Sequence, residues 1–140
     1  MTQTGTIRVV AALIRDEAGR VLLVRKRGTT AFMQPGGKRD PGEDDIAALA
    51  REIAEELGCC LVLDSIRPLG EFDSAAANEP GWRVHACLYG IDVTGDIAPN
   101  YEIDEMIWID PSAPPDIHLA PLTRDHVLPL AAGGRVAGNA

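Results

Sequence analysis

The stretch "MQPGGKRDPGEDDIAALAREIAEELGC" (Met33–Cys59) decides the fold of this chain. Its first part is rich in glycine, proline and basic residues, which is typical of a loop. Its second part has helical spacing, and we predict a helix over Asp44–Leu57. Asp44 suits the positive N-terminal end of that helix, and Gly58 is a C-terminal stop signal. The stretch therefore joins a flexible cationic loop to a helix that is crowded with carboxylates.

The carboxylates of this helix form a stripe beside its apolar face. At about 100° per residue, Glu52, Glu55 and Glu56 share an arc of about 100°. Arg51 lies four residues before Glu55, so the two side chains can pair. An ordinary solvated acidic face is one interpretation. Glu52 and Glu56 repel each other at i,i+4, however, so a hard divalent cation that neutralises the stripe is the other interpretation.

The loop before the helix has the features of a phosphate site. The "PGGK" segment offers backbone amides without side chains in the way, and Lys38 adds positive charge. Arg25 and Arg27 project from one face of a preceding strand, because side chains alternate along a strand. We predict that Lys38, Arg25 and Arg27 bind phosphate oxygens. Phosphates beside a carboxylate-bound Mg²⁺ or Mn²⁺ indicate phosphoryl-transfer chemistry.

The order of elements predicts an α+β protein with one domain over residues 1–140. We expect a hairpin of Thr6–Ile14 and Val21–Arg27, and a short strand at Phe32–Gln34. Further strands are predicted in "LVLDSIRPLGEFDS", "WRVHACLYGIDV" and "EMIWID". The last element is a helix over Pro121–Ala132, weakened at Pro129, with a frayed tail after it.

Composition narrows the classes of function. The net charge is -8, which argues against a binder of duplex nucleic acid. The three cysteines are odd in number and form no CxxC pair, so we expect reduced thiols and neither disulfides nor a zinc site. No signal sequence and no apolar run of about 20 residues is present. We expect a cytoplasmic protein without a membrane segment.

The residues of the opening stretch resemble the Nudix box. Five residues separate Gly37 from Glu43, and seven more separate Glu43 from Arg51, where "REIAEELGC" begins. Cys59 stands where the pattern has an aliphatic residue, and a small buried thiol suits that position. The resemblance implies a Nudix fold, a mixed β-sheet sandwiched between helices. It also implies hydrolysis of a nucleoside diphosphate linked to another moiety, with Mg²⁺ or Mn²⁺ as the cofactor.

The resemblance also implies roles for individual residues. The predicted metal ligands are Glu52, Glu55 and Glu56, and Gly37 belongs to the same site, where it lets the backbone turn onto the helix. Arg51 would orient a glutamate of this set. Glu43 would support the corner between loop and helix, or a water molecule on the metal.

A carboxylate outside the box completes the predicted catalytic set. Glu102 lies six residues before Trp108 and is the first choice, with Asp104 and Glu105 as runners-up. A solvated acidic turn is the ordinary alternative. Either Glu52 or Glu102 could be the general base that accepts a proton from the attacking water.

The substrate is predicted only as a class. Nucleoside triphosphates, including oxidised ones, are the first choice, and ADP-ribose or dinucleoside polyphosphates are the alternatives. A Nudix module that senses a nucleotide without cleaving it is a further alternative. Phe32 is the predicted stacking partner of the base, because it adjoins the phosphate loop. We expect a small nucleotide as the only partner of a monomer or homodimer.

Overall fold

The protein has an α+β architecture. The computed structural model describes residues 5–138, with side chains as far as Gly133. In chain order, the strands and α-helices of this part are β1 Thr6–Ile14, β2 Val21–Lys26, β3 Gly36–Gly37, α1 Asp45–Leu57, β4 Cys60–Leu61, β5 Arg67–Ala75, β6 Arg83–Ile91, β7 Val93–Thr94, β8 Ile103–Ile109 and α2 Leu128–Gly138. Among the described residues, no helix has the length and apolar character needed to cross a membrane.

A mixed sheet of four strands forms the centre, in the order β3-β1-β6-β5. Strands β1 and β6 are parallel along their whole lengths, whereas β3 and β5 join antiparallel. Strand β2 pairs instead with β8. The predicted β1–β2 hairpin is therefore wrong, since only an isolated bridge between Arg15 and Val21 joins the two strands. Both strands are apolar on both faces, so local sequence did not distinguish the hairpin from long-range partners.

Alternation along the strands separates two core clusters. In β1, Val10, Ala12 and Ile14 pack in the first cluster, with Leu49, Ile53 and Leu57 of α1. The intervening Ala11 and Leu13 pack in the second cluster, with Val127, Leu128 and Ala131 near the C-terminus. Because successive side chains point to opposite faces, β1 contributes to both clusters. The mixed sheet lies between helices, as expected.

Local signals define the ends of α1 as predicted. The Asp44 side chain caps the helix by accepting a hydrogen bond of 2.8 Å from the backbone N–H of Ala47. At the other end Gly58 has φ of 67°, a left-handed conformation that glycine adopts without strain. Because Asp44 and Gly58 set the two ends of α1, they also set where the glutamates lie along the helix.

The C-terminal helix differs from its prediction. A π-helical segment over Thr123–Val127 precedes α2, and the N–H of Leu128 donates to the carbonyl of Thr123. This wider turn lies directly before Pro129, which lacks the N–H needed for a regular turn. The helix continues to Gly138, beyond the predicted end at Ala132. The last two residues of the predicted tail lie outside the described part.

Candidate active site

Gly36 and Gly37 allow the backbone of β3 to pass close to β1 and to the side chain of Glu52. A Cβ at Gly36, whose φ is 148°, would overlap the carbonyl oxygen of Val10 on β1. A Cβ at Gly37 would overlap the carboxylate of Glu52. The predicted strand at Phe32–Gln34 exists only as isolated bridges, and the regular pairing lies at this glycine pair instead. A side chain at Gly36 is thus excluded by the β1 backbone, whereas one at Gly37 would have to displace the Glu52 carboxylate.

Glu56 is the most deeply buried carboxyl group of the site, with 1% of its surface exposed. Its Oε1 accepts a hydrogen bond of 3.0 Å from the backbone N–H of Gly36. Burial, with smaller contributions from the nearby carboxylates of Glu52 and Glu102, raises the pKa of Glu56 to about 8. The Gly36 N–H and Lys26 act against this shift. A buried carboxyl with this pKa fits a site where a bound cation stabilises the ionised form.

The other glutamates of the stripe are less buried. The Glu52 side chain is 13% exposed, and burial raises its pKa although Arg51 opposes the shift. Glu55 is 38% exposed and lies 3.3 Å from the Arg51 guanidinium. The helix thus carries its three carboxylates at three depths, and of these Glu52 lines the adjoining cleft.

Arg51 ties the loop to the helix. Its Nε and Nη2 atoms donate to the two carboxylate oxygens of Glu43, at 2.8 and 2.9 Å. Its Nη1 donates to Glu52 at 2.8 Å, and Nη2 also reaches the carbonyl of Lys38 at 3.0 Å. The hydrogen bonds from Arg51, followed by one from the Asp40 N–H, lower the pKa of Glu43 to about 2. This paired fork fixes the corner that positions Glu52.

A cleft of about 360 Å³ opens beside this corner. Its charged side chains include Lys26, Lys38, Asp40, Arg51, Glu52 and Glu102. Along β1, Ile7 and Val9 line the cleft before Val10, which pairs with Gly37. Three residues of strand span about 10 Å. The cleft therefore runs along β1 from the charged end at Gly37 to the apolar side chains of Val9 and Ile7.

Glu102 lies at the charged end, whereas its two runners-up do not line the cleft. The Glu102 carboxylate is 3.8 Å from Lys26 Nζ. Asp104 and Glu105 instead pair with Arg25, at 3.3 and 3.1 Å. The loop before β8 thus presents one carboxylate to the cleft.

The predicted phosphate contacts Arg25 and Arg27 lie outside the cleft. Arg25 is held by the ion pairs just described, and Arg27 donates to the carbonyl of Tyr101 at 3.2 Å. Neither lines the cleft, and the intervening Lys26 does. Alternation along the strand could not indicate that Lys26, and not Arg25 or Arg27, meets the site.

Phe32 is also placed away from the cleft. It is 8% exposed and belongs to the second core cluster, so it is not available to stack on a base. The next two residues, Met33 and Gln34, line the cleft. We predicted that Phe32 stacks on the base because it adjoins the phosphate loop, but its side chain packs in the second core cluster instead.

A buried polar pair in the lining of the cleft was not predicted from the sequence. The hydroxyl of Thr123 donates to Gln34 Oε1 at 2.7 Å, and both residues line the cleft. Among the described residues, no group pairs with Gln34 Nε2. A glutamine directly before "PGG" is the one signal of this pair in the sequence.

Comparisons of the sequence with known proteins match most of the chain to one family. A family model for the NUDIX domain matches residues 5–130. The chain is similar to the 8-oxo-dGTP diphosphatase of Haemophilus influenzae, with 43% identity over 56 residues, 37% of this chain and 41% of that protein. It is 37% identical over 84 residues to an 8-oxo-(d)GTP phosphatase of Mycolicibacterium smegmatis, which is 59% of this chain and 24% of that protein. The matches thus span less than half of either relative.

The fold agrees with a solved structure. The crystal structure of a MutT NUDIX hydrolase from Burkholderia pseudomallei superposes with a TM-score of 0.71 and 24% identity, over 91% of this chain and 96% of that one. At this identity the likeness shows the fold alone. It confirms the expected Nudix fold.

Proposed function

This chain belongs to the NUDIX domain family, and we propose that it is a cation-dependent pyrophosphohydrolase of nucleoside triphosphates, including oxidised ones. One observation carries the proposal. The carboxyl groups of Glu52 and Glu56 are held against a glycine corner, at the charged end of a cleft that also contains Lys26 and Lys38. Carboxylates that can bind a metal ion therefore lie beside lysines that can bind a phosphate chain.

The donor set fits Mg²⁺ or Mn²⁺. Glu52, Glu55, Glu56 and Glu102 offer only oxygen ligands, which these hard cations prefer, and the backbone carbonyl of Gly37 would be a further oxygen ligand. When bound, the cation would neutralise phosphate charge and make an attacking water more acidic. The buried Glu56 supports this assignment, since its burial is costly without a cation.

The chain's own residues would perform the remaining steps. Lys26 and Lys38 would bind the phosphate oxygens and hold the chain in line for attack. Water attacks one phosphorus atom, the bridging P–O bond breaks, and the bridging oxygen leaves with the departing phosphate group. Glu52 or Glu102 would accept the proton of that water. Arg51 would hold Glu52 in place for either role.

The substrate assignment rests on the cleft and on the relatives. The part of the cleft along Val9 and Ile7 offers room for a base and sugar, and two relatives carry names that refer to 8-oxo-dGTP or 8-oxo-(d)GTP. ADP-ribose and dinucleoside polyphosphates remain the alternative substrates. The free cysteines of the described chain support a reducing, cytoplasmic location. The protein would act on small nucleotides as a monomer or homodimer.

A panel of nucleotides tests this function. With Mg²⁺ present, we expect pyrophosphate and a nucleoside monophosphate from triphosphates, with lower rates on ADP-ribose and dinucleoside polyphosphates. EDTA should abolish turnover, and added Mg²⁺ or Mn²⁺ should restore it. Binding of nucleotides without any product would favour a sensing module instead. Full turnover in excess chelator would contradict the assigned role of the carboxylates.

Replacing Lys26 or Lys38 with alanine should weaken the binding of long phosphate chains. We expect KM for a triphosphate to rise about tenfold in each variant, and KM for a diphosphate to rise less, because a shorter chain offers fewer oxygens. Steady-state kinetics on the two substrates gives the comparison. Arg27→Ala is the matched control, because it removes the cation next to Lys26 in the chain, and Arg27 does not line the cleft. An equal rise in KM for Arg27→Ala would show that the effect is general electrostatics.

A further inference from the structure

A second group of metal-binding side chains lies on the β5–β6 pair. In this antiparallel pair Glu71 is opposite Cys87, and Asp73 is opposite His85. Residues two apart on a strand share a face, so the register brings all four side chains together on one surface of the sheet. The carboxylate of Glu71, a ring nitrogen of His85 and the thiol of Cys87 all lie within 4.8 Å of one another.

His85 is held in the orientation that a metal ligand needs. Its Nδ1 is 2.9 Å from Asp73 Oδ1, and its Nε2 is 2.7 Å from Glu71 Oε1. When Nδ1–H donates to Asp73, the Nε2 lone pair points towards Glu71 and Cys87. A carboxylate that fixes the second ring nitrogen is a regular feature of histidines that bind zinc.

The ligand types favour zinc over the cation of the cleft. Thiolate, imidazole and carboxylate are the three ligand types of zinc sites, whereas Mg²⁺ and Mn²⁺ prefer oxygen alone. We propose that Glu71, His85 and Cys87 form a Zn²⁺ site, with Asp73 positioning the histidine and the fourth position open to water. The expectation of no zinc site came from cysteine spacing along the sequence, and spacing does not register residues that meet across strands.

The site is separate from the catalytic cleft. Val10 pairs with Gly37 on one side and with Cys87 on the other, so Cys87 lies two strand spacings, about 10 Å, from Gly37. The cluster lines a small recess of about 130 Å³, which Arg39 and Asp45 also line. Zinc there would cross-link β5 to β6 beside the N-terminus of α1, and would stabilise the folded chain by mass action.

Cobalt substitution and zinc titration of the full chain test this site. In saturating Mg²⁺, the wild type should bind one equivalent of Zn²⁺, and Co²⁺ should give the near-ultraviolet charge-transfer absorption that only a thiolate ligand produces. Cys87→Ser should lose the absorption, and Cys87→Ser and His85→Gln should each weaken Zn²⁺ binding at least about tenfold. Cys60→Ser, which removes an exposed thiol elsewhere, should behave as the wild type.

The remaining outcomes are equally informative. No zinc binding by the wild type, or equal affinity in Cys87→Ser, would overturn the proposal and leave the cluster as a histidine bridged by two carboxylates. Loss of the absorption in Cys60→Ser would assign the thiolate to another site. Thermal unfolding in EDTA should give similar midpoints for all four proteins, which separates lost zinc from lost fold.

Discussion

Replacing Glu56 with glutamine is expected to lower kcat by about 10² to 10³-fold while the protein stays folded. Glutamine has the shape of glutamate and can still accept the hydrogen bond from the Gly36 N–H, but it cannot supply the negative charge that a cation requires. The measurement is pyrophosphate release at saturating nucleotide and Mg²⁺. Glu105→Gln is the control, since it removes an exposed carboxylate that pairs with Arg25 outside the cleft.

The same substitution should stabilise the metal-free protein at alkaline pH. The pKa of Glu56 is about 8 in the folded state against an ordinary value of 4.5. Between these values the folded state holds a proton that the unfolded state has lost, so the free energy of unfolding falls as pH rises. The stability from protonated Glu56 is complete below about 4.5 and is lost as pH passes through 8. The total is on the order of a few kcal/mol.

Thermal unfolding in EDTA at pH 6 and pH 8.5 measures this effect. The wild type should lose stability between the two values, and Glu56→Gln should lose less. Since other groups titrate equally in both proteins, the difference between them isolates Glu56. Parallel pH profiles for the two proteins would mean that Glu56 is ionised in the metal-free fold, which would contradict the effect assigned to its burial.

Gly37→Ala is expected to separate activity from stability. The new methyl group would meet the carboxylate of Glu52, which is the end of a flexible side chain and can move aside. The stability cost should therefore stay within about 1 kcal/mol. The carboxylate would leave its place beside Arg51, however, and a shift of about 1 Å at a reacting group costs about 10²-fold in rate.

The kinetics and the unfolding midpoint of one variant test both halves of this prediction. Gly133→Ala is the control, because a methyl group there meets no neighbour within 4 Å and should leave activity unchanged. A Gly37→Ala variant with wild-type kcat would show that Glu52 need not occupy its observed position. A variant that fails to fold would show that the β3 backbone itself, and not Glu52, sets the need for glycine.

Features that depend on neighbouring residues could be predicted from the sequence. The ends of α1 follow from Asp44 and Gly58, which act on the backbone within one turn. The acidic stripe follows from the helical repeat alone. The partner of Arg51 is a partial case. The i+4 contact with Glu55 exists, but Glu43 in the loop has the shorter bonds, and its approach depends on how the loop folds back.

Features that depend on distant strands could not be predicted in the same way. Strand β1 pairs with β6, 77 residues further along the chain from Thr6 to Arg83, and no local signal selects this partner over β2. The choice between Lys26 and its neighbours at the cleft follows from the pairing of β2 with β8. The cluster of Glu71, His85 and Cys87 likewise exists only through the register of β5 and β6.

The central claim is that the carboxylates of α1, and not the general acidity of the cleft, bind the catalytic cation. Calorimetric titration of Mn²⁺ tests it most directly, in the wild type, in Glu56→Gln and in Glu79→Gln. Glu79 is an exposed carboxylate that also lines the cleft, in the loop between β5 and β6. We predict that Glu56→Gln weakens Mn²⁺ binding about tenfold or more, while Glu79→Gln binds Mn²⁺ as the wild type does. Unchanged affinity in Glu56→Gln, or an equal loss in Glu79→Gln, would contradict the claim.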